Sequence, residues 1–322
     1  MLNGYQAYLQ PIRSPETSKY DEDFNRSTLL TEKMKLRHLD GRIIELPTSL
    51  AAKVERVVSQ LNSYGKVMVA FSGGIDSTLI TYLAKLALDG NIIAVTARSP
   101  SLPVSELEEA KEIAMQIGVK HQIIDTNELE DPNYVSNPTN RCYFCKKELA
   151  EKLTELAKSS GYTIIDGTNA EDLLGHRPGA AALSEHHIGR PLAEAGMSKE
   201  EVREAAKLIG LSNYDKPSMP CLSSRVQYGQ IITPEKLLRI EKSEMKIRAL
   251  TGVRELRVRD HGNLARIEVG KTERQLFFDE HVLDEIAKSL KEFGYSYVAL
   301  DLSGYKSGSM LGSSAVGDGK KR

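Results

Sequence analysis

Segments with strand-like and helix-like patterns alternate through the first half of the chain, and this alternation limits the fold more than any other feature. The apolar runs KVMVAF, at 66–71, and NIIAVTA, at 91–97, are typical of buried strands, and helical periodicity follows each of them. Two further strands are predicted at 121–125 and 162–167. Strands that alternate with helices lie parallel in one sheet, since each crossover helix returns the chain to the same edge. We therefore predict an α/β domain with a parallel sheet and helices on both faces.

The rest of the chain is predicted to form an extension, a second domain and a tail. Asp40-Gly41 lies between two short alternating runs, a pattern typical of a hairpin with a two-residue turn. An irregular, proline-bearing segment at 212–232 is interpreted as the domain junction. The predicted boundaries are an N-terminal extension at 1–47, a first domain at 48–215, a smaller C-terminal α+β domain at 216–302 and a flexible tail at 303–322.

The charge and the cysteine content narrow the function classes. With 43 basic and 44 acidic residues the formal net charge is −1, whereas a dedicated nucleic-acid binder usually carries a basic excess. We therefore do not expect nucleic acid as a partner. Neither a signal peptide nor an apolar run of membrane-spanning length is recognisable, so no membrane association is expected. Three cysteines are too few for a disulfide-stapled secreted domain, which favours a reducing, cytoplasmic compartment.

The six residues SGGIDS join the first predicted strand directly to a helix. Ligands of open α/β sheets bind at this position, beyond the carboxyl end of a strand. Gly73 and Gly74 allow the backbone to approach an anion closely. Ser72 and Ser77 offer hydroxyl groups, and the start of the helix offers free N–H groups. Asp76 is unexpected beside phosphate unless it binds Mg²⁺ or orients the loop. The pattern predicts a nucleotide site, and the alternative is an ordinary Gly-Gly turn before a helix.

This loop resembles the PP-loop of the N-type ATP pyrophosphatases, which split ATP between its α and β phosphates. It is not a Walker A loop, because no Gly-Lys-Ser/Thr is present. The resemblance implies an adenine nucleotide alpha hydrolase-like fold with ATP bound on the loop. The segment DGTNAEDLLGHRPG follows the fourth strand, where PP-loop enzymes line the ATP site. The residues that the resemblance assigns to ATP there are Asp166, Gly167, Thr168, Asn169 and, at a phosphate, Arg177, for which a surface arginine at a helix start is the alternative.

Cys142 and Cys145 lie three residues apart, and the third cysteine of the chain, Cys221, follows far downstream. On a helix the first two thiols share one face, and a helix N-terminus would lower their pKa and favour the thiolate that metals bind. Four interpretations remain open: two structural thiols, a redox pair, a zinc site completed by His186 or His187, and a [4Fe–4S] cluster on three cysteines. In the last of these, one iron keeps a free position that can hold a sulfide beside ATP.

Three segments in the C-terminal half carry a more specific resemblance: KPSMPCLSSRVQYGQIIT, VRELRVRDHGNLARIEV and VALDLSGYKSGSM. They resemble the LarE family of ATP-dependent sulfur transferases, which help to build the nickel-pincer nucleotide cofactor, and the resemblance covers about residues 50–310. It implies that ATP and Mg²⁺ activate a carboxylate of a pyridinium bis-carboxylate mononucleotide and release pyrophosphate. Sulfur then displaces AMP. The sulfide donor stays unknown, and we expect a homo-oligomer.

The resemblance gives Cys221 two alternative roles. In some family members the matching cysteine gives up its own sulfur, whereas others hold a [4Fe–4S] cluster on three cysteines that delivers an extra sulfide. Cys142, Cys145 and Cys221 fit the second pattern, with sacrifice of Cys221 as the alternative. The resemblance further implies that Ser224 and Arg225 lie where the phosphate of the nucleotide substrate binds.

Four charged residues of the C-terminal domain complete the predicted site. The resemblance implies that Glu244 occupies an acidic position near the site, and that Arg257, Arg259 and Glu268 match the family's R-x-R and A-R-I-E patterns. The two arginines alternate onto one face of a strand, which predicts an anion clamp, with a solvated strand face as the alternative. We predict catalytic roles for these four residues together with Asp76 and Cys221.

Three other functions remain open. Some PP-loop enzymes with three-cysteine clusters thiolate a tRNA base, although the balanced charge counts against an RNA substrate. A non-catalytic nucleotide-binding module with structural zinc is a second alternative. An amidotransferase-type ligase is the third, and its glutaminase domain is not recognisable in the chain.

Overall fold

Strands and helices alternate along the chain as predicted. The computed structural model describes residues 35–174 and 178–306. None of the helices within these ranges is long and apolar enough to cross a membrane. The strands are β1 (Lys35–Arg37), β2 (Ile43–Glu45), β3 (Val67–Ala70), β4 (Ile92–Arg98), β5 (Lys120–Asp125), β6 (Thr163–Ile165), β7 (Leu256–Asp260), β8 (Leu264–Val269) and β9 (Tyr297–Leu300). The helices are α1 (Thr48–Tyr64), α2 (Ile75–Leu88), α3 (Val104–Ile117), α4 (Pro132–Val135), α5 (Arg141–Ser160), α6 (Pro178–Glu185), α7 (Pro191–Glu194), α8 (Lys199–Ile209), α9 (Pro234–Thr251) and α10 (Glu280–Glu292).

A four-stranded parallel sheet of order β5-β4-β3-β6 forms the centre of the first domain. Its middle strands are apolar on both faces, with Val67, Met68 and Val69 fully buried, because helices cover both sides. The predicted α/β fold is therefore confirmed. The chain winds outward in both directions from β3, so the carboxyl ends of β3 and β6 meet at a crevice where such sheets bind ligands.

The N-terminal hairpin of β1 and β2 packs on this domain. Leu36 and Leu46 are buried in the same core as the sheet and α1. The predicted hairpin is confirmed, but its two-residue turn is wrong, because the paired residues that flank the turn are Arg37 and Ile43. The N–H of His38 donates to Arg42 O at 2.8 Å, so the turn between these two residues contains three residues, 39–41, rather than two.

The C-terminal domain has its own sheet and core. Strands β7 and β8 are antiparallel, and β9 adds to β8 in parallel, as the helix α10 between them requires. Leu256, Val258, Ile267 and Leu290 are buried in a core that is separate from that of the first domain. The predicted smaller helix-and-sheet layer is confirmed.

The helix starts that the sequence predicted at Ser198 and Thr233 are also present. The Ser198 hydroxyl accepts the N–H of Glu201 at 3.2 Å while the Glu201 carboxylate accepts the N–H of Ser198 at 2.8 Å, which completes a capping box at α8. The Thr233 hydroxyl accepts the N–H of Lys236 at 3.3 Å, and Pro234 begins α9.

The segment between the domains is fastened to both of them. The Lys216 ammonium bonds Glu106 at 2.8 Å and Glu109 at 2.7 Å on α3. Further along, the N–H of Leu222 donates to Ser101 O of the first domain at 2.8 Å. Val226 then forms an isolated parallel bridge with Asp260, at the end of β7 in the second domain. These contacts hold Cys221, which lies just before Leu222, between the two domains.

Candidate active site

The loop SGGIDS forms a cradle between β3 and α2. Gly73 has φ +70°, and a Cβ there would lie 3.0 Å from Ala110 Cβ, so both the backbone angle and the space require glycine. The Ser72 and Ser77 hydroxyls lie 3.2 Å apart, and the N–H of Gly74 donates to Ser72 Oγ at 3.3 Å. These bonds fix the loop at the N-terminus of α2, where free N–H groups and the helix dipole favour an anion.

The DGTN segment packs directly on this loop through Gly167. A Cβ at Gly167 would lie 2.5 Å from Ser77 N and 2.7 Å from the carbonyl carbon of Asp76. The two predicted nucleotide segments therefore touch backbone to backbone, at the adjacent ends of β3 and β6. Sequence patterns predicted both segments, and the structure brings them together.

Asp166 is the first residue of the DGTN segment, and its side chain is hydrogen-bonded to the backbone of that segment. Its Oδ1 accepts the N–H of Thr168 at 2.7 Å, and Arg190 Nε lies 4.0 Å from Oδ2. Burial raises the pKa of the Asp166 carboxyl above its ordinary value, against the effect of the Thr168 hydrogen bonds. Asp166 therefore stabilises the conformation of its own segment. Arg177, the predicted phosphate contact, lies outside the described residues.

Asp76 is held on both carboxylate oxygens. Asn169 Nδ2 donates to Oδ1 at 3.1 Å, and the Lys199 ammonium, at the first position of α8, is hydrogen-bonded to Oδ2. A single carboxylate beside phosphate oxygens and water is the donor set that Mg²⁺ usually takes in nucleotide sites. Asp76 therefore fits a magnesium ligand in kind, and it also orients the loop through Asn169.

Cys142 and Cys145, on α5, lie near Cys221 at the edge of the first domain, beside the junction. Cys145 packs against a small apolar cluster that contains Tyr134 and Leu222, the residue after Cys221. Burial raises the pKa of the Cys145 thiol to about 12, and the Cys221 and Cys142 thiols add to this increase. Burial likewise raises the pKa of Cys142, although this residue reaches the surface, and the Cys221 thiol again contributes. The expected lowering of the thiol pKa at the helix N-terminus is wrong, because loss of hydration outweighs the helix dipole.

The three thiols at this edge are ligands of the kind that bind iron or zinc. They are not arranged around one metal position. Within residues 35–174 and 178–306, no three His, Cys, Asp or Glu side chains are gathered closely enough to hold a metal ion. His186, a considered zinc ligand, lies 3.3 Å from Thr154 Oγ1, about 18 Å along α5 from Cys142. The thiols would have to draw together on binding a cluster.

The turn that carries Cys221 is built around a buried arginine. Arg225 is fully buried, and its Nε and Nη2 donate to the two oxygens of Glu244 at 2.9 and 3.0 Å. Its Nη1 donates to the carbonyls of Pro220 and Cys221, the latter at 3.0 Å, and to Ser224 Oγ at 3.1 Å. Burial alone would raise the pKa of Glu244, but Arg225 holds it below its ordinary value. In this arrangement Arg225 positions the cysteine turn, and its predicted phosphate contact stays a prediction.

Arg257 and Arg259 lie on the same face of β7, but within residues 35–174 and 178–306 only Arg259 has a carboxylate partner. Arg259 pairs with Glu268 at 2.8 Å and donates to Ser224 O at 3.1 Å. Arg257 is 1% exposed, and its Nη groups donate to the carbonyls of Leu256 and Ser218 and to the sulfur of Met219. Its Nε has no hydrogen-bond partner in the part of the chain that the structure describes, and burial lowers the pKa of Arg257 to about 10, with Arg225 contributing. The ring of Tyr305 covers both guanidinium groups, with its centre at 5.1 and 5.9 Å.

Sequence reasoning missed three residues that shape the site. Lys199 contacts Asp76, and the capping box that precedes it fixes the start of α8 but does not indicate its partner. Asn213 donates to Gly73 O at 2.8 Å, from within the segment read only as a junction. The Tyr134 hydroxyl lies 2.6 Å from Ser223 Oγ and so joins α4 to the cysteine turn. No local pattern indicates these contacts, because each joins segments far apart in the sequence.

The parallel sheet, the glycine cradle and the packed DGTN segment define a PP-loop enzyme that uses ATP. In agreement, residues 49–139 match the family model described as asparagine synthase. A protein of Synechocystis sp. with no assigned function is 45% identical over 262 residues, which cover 81% of this chain and 97% of that protein. A Methanocaldococcus jannaschii protein with no assigned function is 31% identical, over 75% of this chain and 91% of its own length.

A third relative has a stated activity. The pyridinium-3,5-bisthiocarboxylic acid mononucleotide synthase of Lactiplantibacillus plantarum is 34% identical over 267 residues, which cover 81% of this chain and 95% of the synthase. The chain therefore belongs to the LarE-type family of PP-loop sulfur transferases and is an ATP-using sulfurtransferase.

Proposed function

We propose that this chain uses ATP and Mg²⁺ to adenylylate a carboxylate of a pyridinium bis-carboxylate mononucleotide and then replaces AMP by sulfur, in the synthesis of the nickel-pincer nucleotide. The similarity to the Lactiplantibacillus plantarum synthase over nearly the whole of that protein supports the substrate class. The observation that carries the proposal is the position of Cys221, in a segment that is bonded to the first domain at Ser101 and that accepts a hydrogen bond from Arg257 at Ser218 O.

The ATP half of the reaction is proposed to take place on the cradle and the DGTN segment. The N–H groups at the start of α2 would bind the phosphates, with Ser72, Gly73, Gly74 and Ser77 forming the walls. Asp76 would hold Mg²⁺, which neutralises the charge that develops as pyrophosphate leaves. Positioning of the attacking carboxylate in line with the α-phosphorus supplies much of the rate.

Arg257 is proposed to bind the phosphate of the mononucleotide substrate. Its guanidinium is buried, and among the described residues its Nε has no hydrogen-bond partner and the group has no carboxylate partner. A bound anion would therefore offset the free energy that burial of this charge costs. Arg259 is already neutralised by Glu268 and would act beside it as a second donor.

Replacing Arg257 with methionine is expected to raise the KM for the mononucleotide about 10- to 100-fold, since a charge-assisted hydrogen bond contributes about 1.5–3 kcal/mol. The Kd of ATP should stay within about twofold of that of the wild type. The matched control is Arg254→Met, because Arg254 is exposed and pairs with the exposed Asp215. An unchanged KM in the Arg257 variant would remove this residue from the substrate site.

Cys142, Cys145 and Cys221 are proposed to hold a [4Fe–4S] cluster with one open iron, which when bound would supply the sulfur for transfer. Cys221 contributes to the raised pKa of the Cys142 and Cys145 thiols, so these groups lie near one another, and iron binding would displace their protons. Arg225 and Glu244 would keep the Cys221 turn in place, and Tyr134 would anchor it through Ser223.

The variant Cys142→Ala, prepared without oxygen, is expected to lose its iron and acid-labile sulfide and to make at most one product per chain. Cys145→Ala should behave in the same way, because a cluster on two cysteines is incomplete. The measurements are iron and sulfide content, the visible absorption of the cluster, and product per enzyme. Unchanged iron content together with repeated turnover in Cys142→Ala would contradict the three-cysteine cluster.

The overall proposal is tested by incubating the intact protein with ATP, Mg²⁺, a sulfide source and the pyridinium bis-carboxylate mononucleotide. The expected products are pyrophosphate, AMP and a thiocarboxylate, which mass spectrometry identifies by the exchange of oxygen for sulfur. A parallel incubation replaces the mononucleotide by unmodified tRNA. Thiolation of tRNA without conversion of the mononucleotide would overturn the proposal in favour of a tRNA thiolase.

A further inference from the structure

Lys199 is paired with Asp76, the carboxylate that the proposed function assigns to Mg²⁺. Its ammonium is hydrogen-bonded to Asp76 Oδ2, whereas Asn169 takes Oδ1. The two charged side chains are only partly exposed, 35% for Lys199 and 22% for Asp76. The charge of Asp76 is therefore already neutralised by the Lys199 ammonium.

Such an ion pair opposes the binding of a divalent cation on its own. A metal ion at Asp76 would have to displace the ammonium or lie beside it, and two positive charges within a few ångströms repel. The start of α2 adds to this effect, because Asp76 lies in its first turn, where the helix dipole disfavours cations. Free Mg²⁺ is therefore a poor competitor for this carboxylate.

A nucleotide changes this balance. The phosphates of ATP carry several negative charges, and they would lie on the cradle, the loop to which Asp76 itself belongs. The Lys199 side chain begins at the first residue of α8, so its flexible stem can turn from Asp76 to a phosphate without movement of the backbone. The carboxylate is then left free for a metal ion.

We propose that Lys199 is an exchangeable counter-ion of Asp76, which prevents a divalent cation from binding until nucleotide phosphate draws the ammonium away. This inference rests on the proposed role of Asp76 as a magnesium ligand. Metal and nucleotide then bind as a coupled pair, and each raises the affinity for the other by the same factor. Lys199 is in this sense a positioning residue that acts through Asp76.

The test is a titration of the full chain with Mn²⁺ alone, followed by electron paramagnetic resonance in the absence of nucleotide. Lys199→Met is expected to bind Mn²⁺ about tenfold more tightly than the wild type, because a coupling of this size is typical of linked sites. Lys199→Arg keeps the positive charge and should retain the weak binding of the wild type. Equal Mn²⁺ affinity in the wild type and Lys199→Met would overturn the inference.

The matched control is Lys53→Met. Lys53 lies on α1 and forms a partly buried ion pair with Glu201, which lies on α8 as Lys199 does. The substitution also leaves one carboxylate without its lysine, so tighter Mn²⁺ binding in this variant would overturn the inference by showing that loss of any such lysine suffices. The double variant Asp76→Asn with Lys199→Met should lose the gained affinity.

A further experiment distinguishes failure of this inference from failure of the proposed role of Asp76. If Asp76→Asn leaves the Mg²⁺ dependence of pyrophosphate release unchanged, the assignment of Asp76 to magnesium fails and the inference fails with it. If Asp76→Asn abolishes that dependence while Lys199→Met gains no Mn²⁺ affinity, only the counter-ion role is overturned.

Discussion

Replacing Glu244 with alanine is expected to lower the free energy of unfolding by about 3–5 kcal/mol, the cost of leaving a buried charge without its partner. Arg225 is fully buried and donates to both oxygens of Glu244, so the variant retains a guanidinium that water cannot reach. Chemical denaturation followed by far-ultraviolet circular dichroism gives this free energy. The C-terminal domain should unfold at the lower denaturant concentration, since α9 and β7 meet at this pair.

The matched control is Asp215→Ala, which removes the partner of Arg254 from an exposed pair. It should change the free energy of unfolding by less than about 1 kcal/mol. A loss of that small size in the Glu244 variant would show that the Cys221 turn does not depend on the pair.

The effect of Glu244 also has a defined pH dependence. Although burial opposes it, Arg225 holds the pKa of Glu244 below its ordinary value of 4.5 in the folded protein. The contribution of the carboxylate to stability is therefore complete above pH 4.5 and is lost as the pH falls through the lower, folded-state pKa. The difference in stability between the wild type and Glu244→Ala should be constant at neutral pH and should shrink in acid.

Replacing Gly167 with alanine is expected to lower the rate of pyrophosphate formation at least about 100-fold, because a displacement of about 1 Å in an active site has this effect. The added Cβ would lie 2.5 Å from Ser77 N and 2.7 Å from the Cα of the same residue, distances that backbone atoms cannot tolerate. The DGTN segment must move away from the ATP cradle, and both halves of the nucleotide site lose their alignment. Pyrophosphate release and the Kd of ATP are the two measurements.

Gly90→Ala is the matched control, because a Cβ at Gly90 meets nothing within 4 Å and its φ is not positive. This variant should keep both the rate and the unfolding midpoint of the wild type. If Gly167→Ala forms pyrophosphate at the rate of Gly90→Ala, the contact between the two nucleotide segments is not needed for catalysis.

Most of the fold could be predicted from local patterns. The apolar strands around Val67 and Ile92, the capping box at Ser198 and the proline after Thr233 each depend on residues a few positions apart, and all were confirmed. The hairpin turn was wrong because a residue pair such as Asp40-Gly41 can also lie within a longer loop. The backbone bond from His38 to Arg42 decides between the two, and the sequence does not show it.

The candidate site could be predicted only as a list of residues. Motifs identified the cradle and the arginines, but they could not indicate that Arg225 is saturated by Glu244 while Arg257 has no carboxylate partner within the described residues. The thiol pKa of Cys145 was predicted in the wrong direction, since burial depends on packing against Tyr134 and Leu222. Such features depend on tertiary contacts, which single-sequence patterns do not contain.

The attachment of the cysteine turn to both domains has a consequence for the reaction cycle. The turn is tied to the first domain at Ser101 and to the second at Asp260, so any movement of one domain relative to the other would pull on it from both sides. In the proposed reaction, such a movement would change the position of Cys221 relative to the bound nucleotide.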